Sequence, residues 1–252
     1  MRTLLVIGVG VGDPEYLTVQ AINALNEVDV FFILDKGPAS ADLLEARREI
    51  CERYITEADY RTVTVQDPAR DRTAEAYVSA VDDWRSERAR LVEDAIATEL
   101  SDGECGGFLV WGDPSLYDGT IRVIEEIDEH GALELDYRVI PGISSIQSLA
   151  ARHRIPINRV AGSVLVTTGR RLATGLPDEV DDIVVMLDAD LACRAYVNED
   201  IAIYWGAYLG AADEVLVAGP LRDVIDEIAT TRAALRARKG WIMDSYLLRR
   251  SR

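Results

Sequence analysis

Strand-length apolar runs alternate with helical patterns through the first half of the sequence, and no other feature restricts the fold as much. The predicted strands are 3–9, 29–34, 62–65 and 107–112, and the predicted helices are 14–26, 40–53, 74–100 and 119–130. This alternation is typical of βαβ units, in which helices connect neighbouring parallel strands. We therefore expect a parallel sheet with helices packed on it.

A different pattern begins after the apolar run YRVIPG at 137–142. Beyond a helix predicted at 144–152, strand candidates follow one another closely at 163–168, 183–187, 201–205, 214–218 and 240–248, and a further helix is predicted at 221–237. Short connections between strands favour a mixed sheet. The sequence thus predicts an α/β fold of two domains, a parallel N-terminal domain at 1–118 and a mixed C-terminal domain at 119–252.

The charge of the chain limits its partners. Asp and Glu outnumber Lys and Arg by 44 to 27, and the formal net charge of −17 argues against a nucleic-acid surface. No apolar run reaches the roughly 18 residues of a membrane span, so we expect a cytoplasmic protein without a membrane segment. Lys36 and Lys239 are the only lysines. The other basic residues are arginines, whose planar guanidinium groups bind carboxylates better than lysine does.

Neither a disulfide framework nor a metal site is expected. The cysteines Cys51, Cys105 and Cys193 lie far apart in the sequence, and the histidines are His130 and His153 alone. Zinc sites use closely spaced Cys and His ligands, and the sequence contains no CxxC pair. The cysteines are therefore expected to be ordinary thiols.

The glycine-rich opening GVGVGDP resembles a nucleotide-binding loop but lacks its spacing. Gly8, Gly10 and Gly12 alternate, and Asp13 stands where the dinucleotide fingerprint has its third glycine. No Lys-Ser or Lys-Thr follows, so the Walker pattern is absent as well. These glycines are therefore not expected to hold nucleotide phosphates.

Three apolar runs end in the same kind of corner, a small or rigid motif after the strand. The corners are IGVGVGDP at 7–14, VWGDPSLY at 110–117 and VIPGISS at 139–145. Open α/β sheets bind ligands at the carboxyl ends of their strands, where glycine lets a ligand approach the backbone. Each corner also has a plainer interpretation, because Gly-Asp-Pro forms turns and Ser144 or Ser145 can cap the following helix.

Taken in order, GVGVGDPEYLT, GDPSLY and PGISSIQSLAA resemble the tetrapyrrole methylases, the S-adenosylmethionine-dependent enzymes of cobalamin and sirohaem synthesis. The resemblance covers essentially the whole chain. It implies the two-domain methylase fold with its active site in the interdomain cleft, a small-molecule tetrapyrrole substrate and a homodimer. Val11 departs from the family pattern, which usually has proline there, and so do Asp118 and Gly119 after Tyr117.

Within the family, three segments resemble the members that methylate a precorrin at ring carbon one and release acetate. They are LDKGPASADLLEARREICERY, VDDWRSERARLVEDAI and VLVTTGRRL. The resemblance implies a methyltransferase of cobalamin (corrin) biosynthesis that acts on precorrin-5. The alternatives are another methylase of the family, such as a precorrin-4 methyltransferase, and a cofactor-binding relative that has lost its chemistry.

The resemblance also implies that S-adenosylmethionine is held largely by backbone groups. The positions that match family contacts are Gly112, Asp113, Leu116, Tyr117, Ser144, Ser145, Met186, Gly206, Ala207, Gly240 and Trp241. The GDPSLY and PGISS positions match by motif, and the last four match by alignment of the later strands. Backbone N–H and C=O groups beside Met or Leu walls suit a ligand with a sulfonium, a carboxylate and an adenine ring.

Loss of an acetyl group requires a base, and a substrate with many carboxylates requires cations. Asp35 lies within one residue of the position at which a related uroporphyrinogen methylase has a proton-accepting Asp, so the resemblance makes it the candidate catalytic base. The plainer alternative for Asp35 is a turn before Gly37 and Pro38. No residue near TVTVQD matches that relative's catalytic Lys, so no proton donor is named. Arg170 and Arg171 are the candidate substrate-binding residues, because arginine forks pair with carboxylates.

Overall fold

The computed structural model contains two compact units and describes residues 1–35, 41–56, 59–68, 77–177 and 179–251. The first unit comprises Met1–Gly10 and Pro14–Ile143, and the second comprises Val11–Asp13 and Ser144–Arg252. This division differs from the predicted boundary at 118/119. The reason is that the helix and the strand that follow residue 119 pack on the sheet of the first unit.

A five-stranded parallel sheet forms the first unit. Its elements are β1 (Arg2–Gly8), a 3₁₀ turn (Pro14–Tyr16), α1 (Val19–Leu25), β2 (Val30–Asp35), α2 (Ala41–Tyr54), β3 (Arg61–Gln66), α3 (Tyr77–Glu99), β4 (Cys105–Val110), α4 (Thr120–His130) and β5 (Leu135–Ile140). The strands lie in the order β3-β2-β4-β1-β5, and all pairs are parallel. The predicted alternation of strands and helices is thereby confirmed. The predicted helix starts at 40 and 74 lie outside the described residues.

The helices of the first unit cover both faces of its sheet. Leu5 and Ile7 of β1 pack with α1 and α2, whereas Leu4 and Val6 pack with α3 and α4. The neighbouring strands β1 and β4 are therefore followed by helices on opposite faces. Such a switch point leaves a crevice at the carboxyl ends of the strands, where open α/β sheets bind ligands.

The second unit has a mixed five-stranded sheet, as predicted. Its elements are α5 (Ser145–His153), β6 (Val164–Thr168), α6 (Gly169–Leu172), β7 (Asp182–Met186), a 3₁₀ turn (Ala192–Tyr196), β8 (Ile201–Ala207), β9 (Val215–Pro220), α7 (Leu221–Lys239) and β10 (Asp244–Arg250). The strands lie in the order β6-β7-β10-β8-β9, with β6 and β7 parallel and the other pairs antiparallel. The short helix α6 was not among the predicted elements.

An ion pair lies in the core of the second unit. Asp244 Oδ2 accepts hydrogen bonds from Arg232 Nε and from Trp205 Nε1, both at 2.9 Å. The remaining Arg232 nitrogens donate to the carbonyl oxygens of Asp188 and Ala189. Burial raises the pKa of the Asp244 carboxyl group, although Arg232 opposes the change. The pair therefore ties α7 and β10 to the turn after β7.

Cys51, Cys105 and Cys193 are free thiols. Burial raises their pKa values to about 11, about 11 and about 12, so the thiols stay protonated at neutral pH. Within the described ranges, no group of three or more His, Cys, Asp and Glu side chains is placed to hold a metal ion. None of the helices in those ranges has both the length and the apolar character of a membrane span.

Candidate functional site

Three strand ends come very close together at the carboxyl edge of the first sheet. A Cβ atom on Gly8 would lie 2.6 Å from the Gly142 nitrogen, and one on Gly142 would lie 2.1 Å from the Gly112 oxygen. No side chain fits at such distances. Glycine at positions 8 and 142 is therefore what allows the ends of β1, β4 and β5 to meet.

A backbone bridge joins the first two predicted corners. The Gly112 N–H donates to the Gly10 oxygen at 2.8 Å, and the Gly10 N–H donates to the Gly112 oxygen at 3.3 Å. Both residues have left-handed backbones, with φ of +74° at Gly10 and +73° at Gly112, which glycine adopts without strain. The structure thus brings residues of all three predicted corners together within the first unit.

Asp113 ties two of these corners together. Its Oδ2 accepts the Gly142 N–H at 2.9 Å, and its Oδ1 accepts the backbone N–H at 2.9 Å and the hydroxyl of Ser115. Burial by itself raises the pKa of the Asp113 carboxyl group, but these hydrogen bonds outweigh burial and hold the pKa below its ordinary value. The carboxylate is therefore a structural clamp, and its contact with a cofactor stays a prediction.

The GDPSLY loop ends in a strained aromatic residue. Half-buried Leu116 donates its N–H to the backbone carbonyl oxygen of Asp113 at 3.1 Å. The next residue, Tyr117, has φ of +53° and is 47% exposed. A bulky residue with left-handed backbone is strained, and such residues cluster at ligand sites. The neighbouring Trp111 Nε1 is buried and has no hydrogen-bond partner in the described part of the chain. The predictions did not include Trp111, because burial of a single ring nitrogen leaves no mark in the sequence.

Asp35, the candidate base, is the half-buried last residue of β2. It lines a cavity of about 490 Å³ under α2, which we call the α2 cavity. Among the residues that line it are Phe31, Ile33, Leu44, Arg47, Thr62 and Thr64. The Asp35 carbonyl oxygen accepts the Asp67 N–H at 3.0 Å, which fixes the strand end. The alternative turn at Gly37 and Pro38 lies outside the described residues.

In the second unit, Ser144 is the N-cap of α5. Its Oγ accepts the Ile146 N–H at 3.1 Å, and the Gln147 Oε1 accepts the Ser144 N–H at 3.1 Å, which completes a capping box. The side chain is only 4% exposed. The structure therefore gives Ser144 the plainer of its two interpretations, and a cofactor contact there stays a prediction.

Ser145 and Met186 come together near the start of α5. The Ser145 Oγ lies 3.9 Å from the Met186 Sδ and 3.4 Å from the Ser245 Oγ. Ser245 of β10 stands opposite Met186 on one side and Gly206 on the other. Ser245 thus connects three predicted residues and was itself missed, because its place depends on a strand register that the sequence does not reveal.

The other predicted cofactor positions of the second unit have structural roles in packing or in ending a helix. A Cβ atom on Gly206 would lie 2.6 Å from the Leu209 side chain, and Ala207 is fully buried. Gly240 ends α7 with φ of +78°, and the Trp241 ring packs edge-on against Tyr208 at 5.1 Å. A ligand can reach Gly206 and Ala207 only through their backbone groups.

A buried carboxylate shapes the turn after β7. Asp188 accepts the N–H groups of Asp190 at 3.0 Å and Ala192 at 2.8 Å, and the Tyr246 hydroxyl at 2.5 Å. The preceding Leu187 has φ of +52° and is 65% exposed. The carboxylate thus holds a strained turn that presents an apolar side chain beside Met186, and the predictions did not include either residue.

Arg170 and Arg171 lie exposed on α6, directly after β6. Thr168 pairs with Met186 in the sheet, so α6 begins beside the end of β7. A Cβ atom on Gly169 would lie 2.3 Å from the Asp188 carboxyl carbon, which shows how closely α6 packs on the turn after β7. The two arginines and Met186 are therefore placed at the same edge of the sheet.

Comparison with known proteins gives one family. The model of the Tetrapyrrole (Corrin/Porphyrin) Methylases matches residues 3–225. A precorrin-6A synthase (deacetylating) from Sinorhizobium sp is 49% identical over 250 residues, which are 99% of this chain and 96% of that protein. A cobalt-precorrin-4 C(11)-methyltransferase from Methanocaldococcus jannaschii is 27% identical over 168 residues, which are 66% of this chain and 52% of that protein.

Solved structures agree with this result. A cobalamin synthesis related protein (CobF) from Corynebacterium diphtheriae superimposes with a TM-score of 0.84 at 38% identity, over 99% of this chain and 98% of that one. Uroporphyrin-III C-methyltransferase from Thermus thermophilus, solved with S-adenosylhomocysteine, gives a TM-score of 0.59 at 17% identity, over 98% and 91% of the chains. The second likeness concerns the fold alone.

The clamp at Asp113 predicts a pH-dependent loss of stability in Asp113→Asn. An asparagine can accept at Oδ1 only, so some donors lose their partner and the unfolding free energy should fall by about 1–3 kcal/mol at pH 7. Because the folded pKa of Asp113 is lowered, its stabilisation is present above the ordinary value of 3.8 and disappears as the pH falls through the folded value.

Urea denaturation at pH 7 and pH 3 measures the difference, which should shrink at the lower pH. Asp128→Asn, at an exposed position of α4, is the control and should change little at either pH. An equal deficit of Asp113→Asn at both pH values would contradict the clamp.

Proposed function

The chain belongs to the tetrapyrrole (corrin/porphyrin) methylases, and from this we propose that it is the deacetylating methyltransferase of cobalamin biosynthesis that converts precorrin-5 to precorrin-6A. The observation that carries the proposal is the 49% identity to a precorrin-6A synthase (deacetylating) along nearly the full length of both proteins. In this reaction ring carbon one gains a methyl group and loses an acetyl group as acetate. A homodimer, as the family resemblance implies, is part of the same proposal.

Several residues suit S-adenosylmethionine as the methyl donor. In the second unit, the Ser145 hydroxyl and the Met186 thioether are half-buried and adjacent, and exposed Leu187 adds an apolar surface. In the first unit, the buried Trp111 N–H lacks a partner within the described ranges and lies next to Gly112 in the candidate loop. When bound, the cofactor supplies an electrophilic methyl group on a sulfonium. The chain's task is to position the reacting carbon, and positioning can lower a barrier by roughly 7–11 kcal/mol.

Asp35 is the proposed base for the loss of the acetyl group. Its carboxylate takes a proton from water, the water oxygen adds to the acetyl carbonyl, and the bond between the acetyl carbon and ring carbon one breaks. Acetate leaves, and the electron pair stays on the ring carbon, which then accepts the methyl group. The position of Asp35 at the carboxyl end of β2, on the edge of the α2 cavity, supports this role.

Arg170 and Arg171 are the proposed contacts for the acidic side chains of the macrocycle. They are exposed, and the short helix that carries them packs on the turn next to Met186. A strongly acidic protein repels a polyacid, so cations near the reacting centre must offset that repulsion. Guanidinium groups also supply the paired donors that carboxylates accept.

Product analysis tests the proposed reaction. The protein is incubated with S-adenosylmethionine and precorrin-5, and the corrin product and free acetate are quantified by mass spectrometry. We expect methylated product and acetate in equal amounts. Methylated product that still carries its acetyl group would contradict the deacetylating reaction and would assign the enzyme to another methylation step.

Asp35→Asn should bind both ligands and turn over slowly. The amide keeps the size of the side chain but cannot take the proton, and loss of a general base lowers kcat by about 10²–10⁴-fold. S-adenosylhomocysteine affinity, measured by calorimetry, should not change. Asp94→Asn, at an exposed position of α3, is the matched control. A rate for Asp35→Asn equal to that of the control would rule out the assignment of the base.

The double variant Arg170→Ala/Arg171→Ala should raise the KM for the macrocycle by up to about 30-fold, because exposed pairs each contribute up to about 1 kcal/mol. Cofactor affinity and melting temperature should stay near wild-type values. Arg222→Ala, at an exposed position of α7, is the control for the loss of a surface arginine. A large drop in melting temperature with an unchanged KM would show that the two arginines are structural.

A further inference from the structure

Strands β2 and β4 separate at their carboxyl ends. Their pairing is confined to Val30 and Phe31, which face Gly106 and Gly107, whereas β1 and β4 stay paired through Gly8 and Val110. The helices that follow β2 and β4 also cover opposite faces of the sheet. The gap between these two strands is therefore a second switch point of the first unit, next to Asp35.

Arg47 of α2 reaches into this gap. Its Nε donates to the Leu109 carbonyl oxygen at 3.0 Å, and its Nη1 donates to the Leu43 carbonyl oxygen at 3.3 Å. The side chain lines the α2 cavity and also a smaller cavity of about 50 Å³ beside Asp118. The two backbone contacts fix the position of the guanidinium group, and Nη2 donates to no acceptor among the side chains and backbone groups that the structure describes.

The charge of Arg47 has no close carboxylate among the side chains that the structure describes. Among the carboxylates whose side chains the structure describes, which do not include Asp42 or Asp82, none lies within 4.0 Å of this guanidinium, and Asp118 acts on it from a longer distance. Burial lowers the pKa of Arg47, and the negative charge of Asp118 only partly offsets this change. The Asp118 charge therefore does not fully compensate the cost of burying the Arg47 cation. By contrast, the neighbouring Arg88 pairs with both oxygens of Asp67. The next residue on α2, Arg48, also has carboxylate partners, because it pairs with Glu45 and Glu52.

We propose that Arg47 binds a carboxylate in the α2 cavity, either an acidic substituent of the macrocycle or the acetate released from it. This inference rests on the proposed function for the identity of the ligand. The cavity, at about 490 Å³, has the size of a small-molecule pocket, and its apolar walls include Phe31, Ile33 and Leu44. A carboxylate held there by Nη2 lies in the same cavity as Asp35, at which the proton is taken up.

The first test uses acetate alone and the full-length protein. Saturation-transfer NMR on the acetate methyl group should give a signal with wild-type protein and with Arg53→Gln, and the signal should be lost in Arg47→Gln. Arg53 is the matched control because it lies on the same helix, exposed and paired with Glu15. Arg47→Lys keeps the charge without the fork and should give a weakened signal, which keeps the test decisive if Arg47→Gln does not fold.

The second test identifies the source of the carboxylate. If the macrocycle is the ligand, loss of one charge-assisted contact in Arg47→Gln should raise the KM for precorrin-5 by about 10–100-fold. If acetate is the ligand, the same variant should raise the inhibition constant for acetate by about 10–100-fold. S-adenosylhomocysteine affinity should stay unchanged in either case. Unaltered acetate binding together with an unaltered KM would overturn the inference. A wild-type protein that binds acetate but forms none from precorrin-5 would instead contradict the proposed function.

Discussion

The close approach of the β1, β4 and β5 ends is the constraint on which the candidate site of the first unit depends. Gly8 and Gly142 have no room for a Cβ atom, so the backbones themselves form the edge of the sheet. Asp113 then joins the loops after β4 and β5 by accepting N–H groups that would otherwise lack partners. The loop that ends in Tyr117 is held by this arrangement, and its position follows from backbone packing rather than from side chains.

Each unit uses a carboxylate, half-buried Asp113 in the first and buried Asp188 in the second, to support a strained residue beside predicted ligand contacts. Asp113 precedes left-handed Tyr117 in the first unit, and Asp188 follows left-handed Leu187 in the second. Each strained residue costs about 1–3 kcal/mol. Each hydrogen bond to a charged acceptor returns about 1.5–3 kcal/mol, so the turns persist in a fixed geometry. Methyl transfer needs such rigidity, because the reacting atoms must be aligned before reaction.

Local sequence signals predicted most of the fold, and long-range register decided what they could not predict. Alternating runs such as Leu4 to Ile7 indicate a strand wherever they occur, and a serine before SIQSLAA can cap a helix in any fold. The places of Ser245 and Arg47 depend on contacts between distant parts of the chain. Ser245 stands opposite Met186 in the second sheet, and Arg47 lies where β2 and β4 separate. The units divide near residue 143 rather than at the predicted 118/119, because helix α4 and strand β5 at 120–140 return to the first sheet, which a local pattern does not encode.

The proposed enzyme couples loss of an acetyl group to methylation of the same ring carbon. A single turnover in ¹⁸O-labelled water, with S-adenosylmethionine labelled in its methyl group, tests this coupling most directly. We expect acetate that carries oxygen from water, and we expect the labelled methyl group to appear on the ring at the same rate as acetate is released. Acetate without the label, or methylation that proceeds while the acetyl group remains on the ring, would contradict it.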